Sequence, residues 1–479
     1  MDEKSGLAYW AGRVLQELAN VTRNFDPDPV HDLRVALRRC RSMADGFLLV
    51  DPDPGWKQLK KVGKGLFSRL GELRDMQVME EWVTGLGEPD DSIRNDLLRL
   101  FASQEIALKS NAQLAAQAFD QEKWQFLAGR LAARTRAIPS EGLVFQQMAT
   151  ERWQQAHELH RQALRNRTQV AFHHLRIGLK KFRYTVENFL PQRHEKWGSD
   201  LRKLQDLLGE VHDLDVLAGI VRTLPGLASE GRQRWQGRIH QERQQRLEKY
   251  RSKMLGRHSL WHVWREELPQ GARLEQAALA RLRAWGAFLD SDVHHSRRVT
   301  KLALQLYEGL AREEVFRFSE KQRRILETAA LLHDVGLAKG NRAHHKHTYR
   351  LIRKIAVPIG CTLPELSAIG AVARYHRGAL PRPEHKCLRR IPASARPSII
   401  RLAGVLRLAN AFDFSHDGSV RSLRVERSAG TILISSDGYS STAPEAERIA
   451  AARHLLEASC QVAVIVRPSS TAPRVAAVG

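Results

Sequence analysis

A duplication in the first half of the chain limits its fold more than any other feature. Residues 30–49 read VHDLRVALRRCRSMADGFLL and residues 172–190 read FHHLRIGLKKFRYTVENFL, a match at an offset of 142. A second pair follows in the same order, GELRDMQV from Gly71 and GEVHDLDV from Gly209, at an offset of 138. Two blocks that recur in order describe a duplicated helical unit. The hinge between the copies is expected at residues 138–142, IPSEG.

The first helix of each copy carries two stripes. Leu33, Leu37, Cys40, Ala44 and Phe47 recur at four, three, four and three residues, the spacing of a buried helix face. The other stripe is polar: His31, Arg34, Arg38 and Arg41, whose spacing and charge His173, Arg176, Lys180 and Arg183 repeat. At 1.5 Å per residue such a row extends about 15 Å. A single basic stripe is ordinarily a solvated face. Its recurrence argues for a binding role, because clustered cations repel one another and a strand of phosphates relieves that repulsion, with Arg forks able to grip phosphate oxygens. Lys57, Lys60, Lys61 and Lys64 in the first copy, and Arg202 and Lys203 in the second, add a further basic helix. Arg74 with Asp75, and His212 with Asp213, read as structural ion pairs or caps.

Charge supports a polyanionic partner. The 479 residues carry a formal net charge of +23, with a sequence pI near 10.3, which suits nucleic acid, polyphosphate or an anionic membrane surface. Both halves share the excess: 44 Lys and Arg face 36 Asp and Glu through residue 280, and 32 face 17 thereafter. Four widely separated cysteines match no metal-finger spacing. No apolar run reaches about 18 residues and the N-terminus lacks a signal-like core, so a cytoplasmic protein without a membrane span is expected. Residues 228–268 mix Arg232, Arg234, Arg238, Arg243 and Arg246 with Trp235, His240 and Tyr250. This predicts one long basic helix, solvated on its outer side, and leaves nucleic-acid binding as a weaker alternative.

The repeated H-x-x-R-x-x-x-[RK]-x-x-R stripe, LQDLL at residues 204–208 and the paired RD and HD blocks resemble the CHAD (conserved histidine alpha-helical domain) family over roughly residues 5–255. The resemblance implies paired helical bundles around a basic cavity that binds inorganic polyphosphate. Carried over by position, the binding residues are His31, Arg34, Arg38, Arg41, His173, Arg176, Lys180 and Arg183, with Lys60 and Lys64 beside them. Lys180 keeps the charge and loses the planar fork.

The second half concentrates potential metal ligands. Residues 331–347, LLHDVGLAKGNRAHHKH, place five His and Asp side chains behind an apolar helix face. Elsewhere His295 leads Val299, Leu302 and Leu306, His376 follows Ile369 and Val372, and Asp413 follows Leu402, Leu406 and Ala409 at helical spacing. A lone histidine on an apolar face is usually a satisfied core residue; four such helices together predict a divalent-metal site. A further helix is expected over residues 349–354, a loop over 378–397, a helix over 398–413, and then a strand hairpin, a helix and a last strand.

LLHDVG, HHKHT, ARYHRG and LRLANAFDFSH, in the order H…HD…H…H…D, resemble the HD-domain phosphohydrolases. They are more closely similar to the C-terminal HD domain of the exopolyphosphatase and guanosine pentaphosphate phosphohydrolase family, over about residues 285–470. The resemblance implies metal ligation by His295, His333 and Asp334, and by His376 with His345 or its neighbours His344 and His347. It assigns catalytic roles to Asp334, His376 and Arg377, and implies one or two ions of Mn, Fe, Co or Mg. Asn410 stands where related sequences carry a carboxylate, so either Asp413 substitutes or metal binding is weakened.

Together these features predict a mainly α chain. A CHAD-like duplicated bundle occupies residues 1–268, with repeats at about 5–137 and 143–255; an all-helical HD domain spans 280–418, and a small α+β appendage spans 419–479. The expected activity is polyphosphate binding with metal-dependent hydrolysis of polyphosphate or a phosphorylated nucleotide. The alternative is a non-catalytic polyphosphate receptor, associated with granules, that has a degenerate HD domain.

Overall fold

The computed structural model describes residues 6–23, 25–225 and 229–469, and the chain divides into two compact units, Met1–Ala277 and Ala278–Gly479. Residue 5 at the start of the expected bundle, residue 228 at the start of the expected basic helix and residues 470–479 of the expected appendage lie outside the described residues.

The first unit is helical throughout: α1 (Leu7–Val21), α2 (Pro27–Phe47), α3 (Gly55–Val62), α4 (Lys64–Leu86), α5 (Ser92–Gln117), α6 (Gln121–Thr135), α7 (Leu143–Asn166), α8 (Gln169–Phe189), α9 (Pro191–Thr223), α10 (Ser229–Met254) and α11 (Leu260–Glu267). The break between α6 and α7 falls in the hinge read from the sequence. α2 and α8 are the stripe helices of the two copies. Proline opens α2 in its first turn, where a missing N–H costs nothing, and the Thr168 hydroxyl caps α8 by accepting from the Ala171 amide.

The apolar stripes are buried as their spacing predicted: Leu33, Leu37, Cys40, Ala44 and Phe47 have essentially no exposure. They set the two copies against each other, with α2 packed on α8. Phe47 and Phe189, equivalent positions, meet edge to face at 5.6 Å, and Phe189 also stacks on Phe145 at 4.3 Å. Gly46 permits this crossing, since a Cβ there would come within 2.5 Å of the Phe189 ring. Each copy also packs its own second-block helix beneath the stripe, α4 under α2 and α9 under α8, and α4 touches α9. The expected single helix over 228–268 is two helices, α10 and α11. The chain turns at Gly256, whose φ of +84° is accessible to glycine without strain.

After α12 (Gly271–Ala287), the second unit runs through α13 (Val293–Arg312), α14 (Glu320–Leu332), α15 (His344–Ile352), α16 (Leu363–Arg374), α17 (Lys386–Arg389) and α18 (Arg396–Phe412). It continues as β1 (Leu423–Ser428), β2 (Thr431–Ser436), α19 (Pro444–Cys460) and β3 (Ala463–Pro468). The sheet order is β1-β2-β3, with Leu423 opposite Ser436 in an antiparallel pair and Thr431 beside Ala463 in a parallel one. The small α+β element is continuous with the helices: α19 packs on α18, β1 on α13, and Val425, Ile434, Leu456 and Val464 belong to the same core as Leu302, Ala330 and Leu406. The chain is therefore mainly α with a small α+β appendage. No described helix is long and apolar enough to cross a membrane.

Candidate functional site

In the first unit the two basic stripes meet. Arg34 from α2 and Arg176 and Lys180 from α8 line one cavity of about 640 Å³, which α4, α5 and α9 complete. Lys180 also lies close enough to Arg38 to feel its charge. Its ammonium is pushed down to about 7 by burial and then by Arg176, Arg38 and Arg34, with Asp75 opposing. Arg38 and Arg183 both cover the Tyr184 ring, at 5.5 and 5.7 Å, and the buried Tyr184 hydroxyl has no hydrogen-bond partner.

The remaining expected binding residues are not among those that line this cavity. Arg41 donates to the Lys60 carbonyl at 3.1 Å and covers the Phe67 ring, while Lys60 pairs with Asp45. His31 is exposed beside Asp32, and Lys64 is exposed at the start of α4. The His173 ring lies tilted against that of His212, with 4.8 Å between centroids.

The acidic residues of the second repeated block need correction. Asp75 and Asp213 do not pair with their sequence neighbours; both line the basic cavity, and Arg74 pairs instead with Glu81. Burial raises Asp213 to about 6, with Arg176 opposing and Asp75 and Glu210 adding to the rise. Burial likewise raises Asp75, against Arg34, Arg176 and Lys180. The recurrence at offset 138 was the signal: a pair present in both copies faces what the copies share.

In the second unit four helices bring their ligand-type side chains together. His295 opens α13, where Asp292 accepts from its backbone N–H. His333 follows α14, and His376 follows α16. Each donates its Nδ1 proton to the carbonyl three residues back, Ala330 and Ala373, at 2.7 Å, which turns both Nε2 lone pairs inward. Gly336 lets α15 approach, since a Cβ there would lie 2.1 Å from the His344 carbonyl. Thr348 fastens the approach by donating to the His333 carbonyl.

Asp334 sits between two groups of donors. Its Oδ2 is 3.5 Å from His333 Nε2 and 3.8 Å from His295 Nε2; its Oδ1 is 3.2 Å from His344 Nε2 and 3.5 Å from His376 Nε2. His295, His333 and Asp334 form one buried group able to hold a metal ion, and Asp334, His344 and His376 form another. Asn410 Oδ1 points at His333 Nε2 (3.1 Å) and His295 Nε2 (3.2 Å). Burial raises the Asp334 carboxyl but is outweighed by His333, His344 and His376, so Asp334 is held well below the usual carboxylate range. Burial lowers His333 and His376.

Two expectations change here. His344, not His345, joins Asp334 and His376: α15 begins at His344, and His345 is turned toward Gly378. His345 is depressed to about 4 by burial and by Arg374, with His344, Arg377 and Lys346 adding. Asp413 does not take the place of Asn410. It lies on the far side of His295, accepting from Nδ1 at 2.7 Å and from Arg298, so it orients that ring rather than facing the donors.

The donor set fits a divalent cation. His344 Nε2 and His376 Nε2 approach to 3.1 Å although each ring uses Nδ1 toward a carbonyl, at Asn341 and Ala373. The buried Asp334 Oδ1 accepts no hydrogen bond. Acceptors crowded in this way repel unless a cation lies among them. Arg377, Arg407 and Arg448 line a small cavity against His376 and Asn410. Arg407 lies inside LRLANAFDFSH and Arg448 outside every quoted motif, and neither residue type nor spacing marks them for this role, because the cavity forms only where α18 and α19 pack together.

The chain matches the CHAD domain over residues 9–222 and the Ppx/GppA phosphatase, domain III, over residues 285–434. Among solved structures, the crystal structure of the CHAD domain from the plant Ricinus communis is 23% identical, with a TM-score of 0.40. That match covers 51% of this chain and 88% of the plant one. No curated protein matches this chain. The chain thus carries a CHAD domain followed by a region of the Ppx/GppA type.

Proposed function

We propose that this protein binds inorganic polyphosphate in the cavity between α2 and α8 and hydrolyses phosphoanhydride bonds at the His/Asp cluster of its second unit, as an HD-type phosphohydrolase. The CHAD and Ppx/GppA matches support a polyphosphate-related, phosphatase-like role. What carries the reading is the meeting of the two copies' cation stripes: Arg34, Arg176 and Lys180 share one cavity, so an extended polyanion touching both copies relieves more repulsion than either stripe alone offers.

His295, His333, Asp334 and Asn410 would hold one divalent ion, and Asp334, His344 and His376 a second. Mn, Fe, Co and Mg all accept such mixed nitrogen and oxygen donors. Bound there, the metal supplies Lewis acidity and a more acidic water. The chain's own part is to orient and to exclude. Asp413 and the Ala330 and Ala373 carbonyls fix the histidine tautomers, and Asp334 stays ionised between the two groups. Arg377 stands beside His376 to face an anionic substrate. Hydrolysis of a terminal P–O–P bond by water yields orthophosphate, a chain one unit shorter and a proton. His333→Ala is expected to abolish Mn²⁺-dependent phosphate release while leaving polyphosphate binding intact. Equal release by the variant, or none by the wild type from polyphosphate, guanosine polyphosphates or nucleotides with any divalent metal, refutes the hydrolase reading.

Asn410 favours a second reading, a polyphosphate receptor without catalysis. Turned about its Cγ, the amide offers N–H groups to His295 and His333 and serves them without a metal. Elemental analysis separates the two: stoichiometric metal lost in His295→Ala belongs to an enzyme.

A further inference from the structure

The cavity beside the cluster measures about 240 Å³, and its wall joins His376 and Asn410 to Arg377, Arg407, Arg448 and Phe414. Three guanidinium groups line it and no carboxylate does. Arg407 donates Nη2 to the Gly378 carbonyl at 2.9 Å, but its Nη1 is buried without an acceptor. Arg448 extends from α19 over the Phe414 ring at 3.6 Å, next to the buried Ile449 that anchors the helix. Among the described residues none of these three arginines forms an ion pair, whereas most arginines of the first unit's α10 do.

A buried guanidinium N–H without an acceptor is costly, and facing cations add repulsion; both costs vanish when a phosphate enters. We propose that this cavity is an anion site for two linked phosphoryl groups at the end of a phosphate chain, whether inorganic or borne by a nucleoside, gripped by Arg407 and Arg448 and presented to the cluster. The proposal rests on the hydrolase reading for its consequence, while the anion site itself stands on α18 and α19. Size selects the ligand class. Pockets that enclose whole organic ligands span roughly 300–1,000 Å³, so this one admits phosphoryl groups and leaves any nucleoside outside. The α+β appendage then has a part in the chemistry, because α19 delivers Arg448.

The test compares the full-length protein with Arg407→Ala/Arg448→Ala, titrated by calorimetry with methylenediphosphonate in the presence of Mn²⁺. The first unit is unchanged in both proteins, so any anion it binds is common to both titrations. Affinity at the second-unit site is expected to fall at least about tenfold, as for loss of a charge-assisted hydrogen bond, with metal content unchanged. Arg448→Ala alone, at an exposed position, is expected to show a smaller fall, and Arg407→Lys to recover part of the loss. Tripolyphosphate and a nucleoside triphosphate are expected to compete equally. Identical isotherms for the wild type and the double variant overturn the site, and a nucleoside preference above tenfold overturns its restriction to the phosphoryl groups. Diphosphonate binding that depends on these arginines in a protein releasing no phosphate upholds the site and refutes the hydrolase reading instead.

Discussion

Lys180 shows how much a single residue reports on the cavity. Its folded pKa of about 7 lies below the ordinary 10.5, so between those values the unfolded chain holds a proton that the folded chain lacks. Stability therefore rises as pH climbs through 7 toward 10.5, and the full penalty of burying this charge is carried below 7. A bound polyanion reverses the balance by favouring the ammonium. Polyphosphate binding at pH 7.5 is expected to take up a proton, seen as a dependence of calorimetric enthalpy on buffer ionisation heat, and Lys180→Met should abolish it. Uptake near pH 6 would come from Asp213, among Arg176, Asp75 and His212, and should be lost in Asp213→Asn. At the cluster, Asn410→Asp places a carboxylate against His295 and His333. If the site holds metal, Mn²⁺ affinity should rise about tenfold with the added ligand charge; a variant merely destabilised, with no gain from Mn²⁺ in thermal melts, supports the receptor. The stripes, His333, Asp334 and His376 were legible because residue type and helical spacing coincide there. His344 over His345 was not, since it depends on α15 starting after Ala343, whose φ of +56° no run of histidines announces.

For helices, the decisive question is whether α2 and α8 act as one surface. Arg34→Gln/Arg38→Gln and Arg176→Gln/Lys180→Gln are each expected to weaken long-chain polyphosphate binding severely. The salt slope should fall by roughly 0.7 for each phosphate-binding cation removed, by analogy with single-stranded nucleic acids. Undiminished affinity in both would reduce the stripes to solvated faces. Folding is not wholly indifferent to the first pair, as the buried apolar stripe alone would suggest: Arg34 donates to the Phe67 carbonyl at 3.3 Å and lies against Gly71, so a modest drop in melting temperature is expected there. Helix positions were legible wherever apolar periodicity was long. Their ends were not always so, because they depend on single backbone states. Gly256 divides the expected long basic helix, and most arginines of its first part are spent on acids, Arg243 on Asp215 and Arg246 on Glu210 among them, rather than left for a nucleic acid.

The whole molecule consists of two units, each with its own buried core, and this separates the effects of its two proposed ligands. A ligand that binds only folded chain stabilises by an amount set by its concentration over its dissociation constant, and stabilises the unit that holds it. Scanning calorimetry of the full chain is therefore expected to resolve two transitions. Long-chain polyphosphate should raise one of them, in proportion to the logarithm of its concentration, and lose that effect in Arg176→Gln/Lys180→Gln. Mn²⁺ should raise the other, and a chelator or His333→Ala should remove the increase without touching the first. The assignment follows from where the donors lie: every imidazole facing Asp334 belongs to α13–α16 and their flanks, whereas Lys180 and its arginine neighbours belong to α2 and α8. A single transition raised equally by both ligands would mean that the units melt as one body. Two transitions of which Mn²⁺ moves neither would leave the histidine cluster as a scaffold, with Asn410 as its internal hydrogen-bond donor.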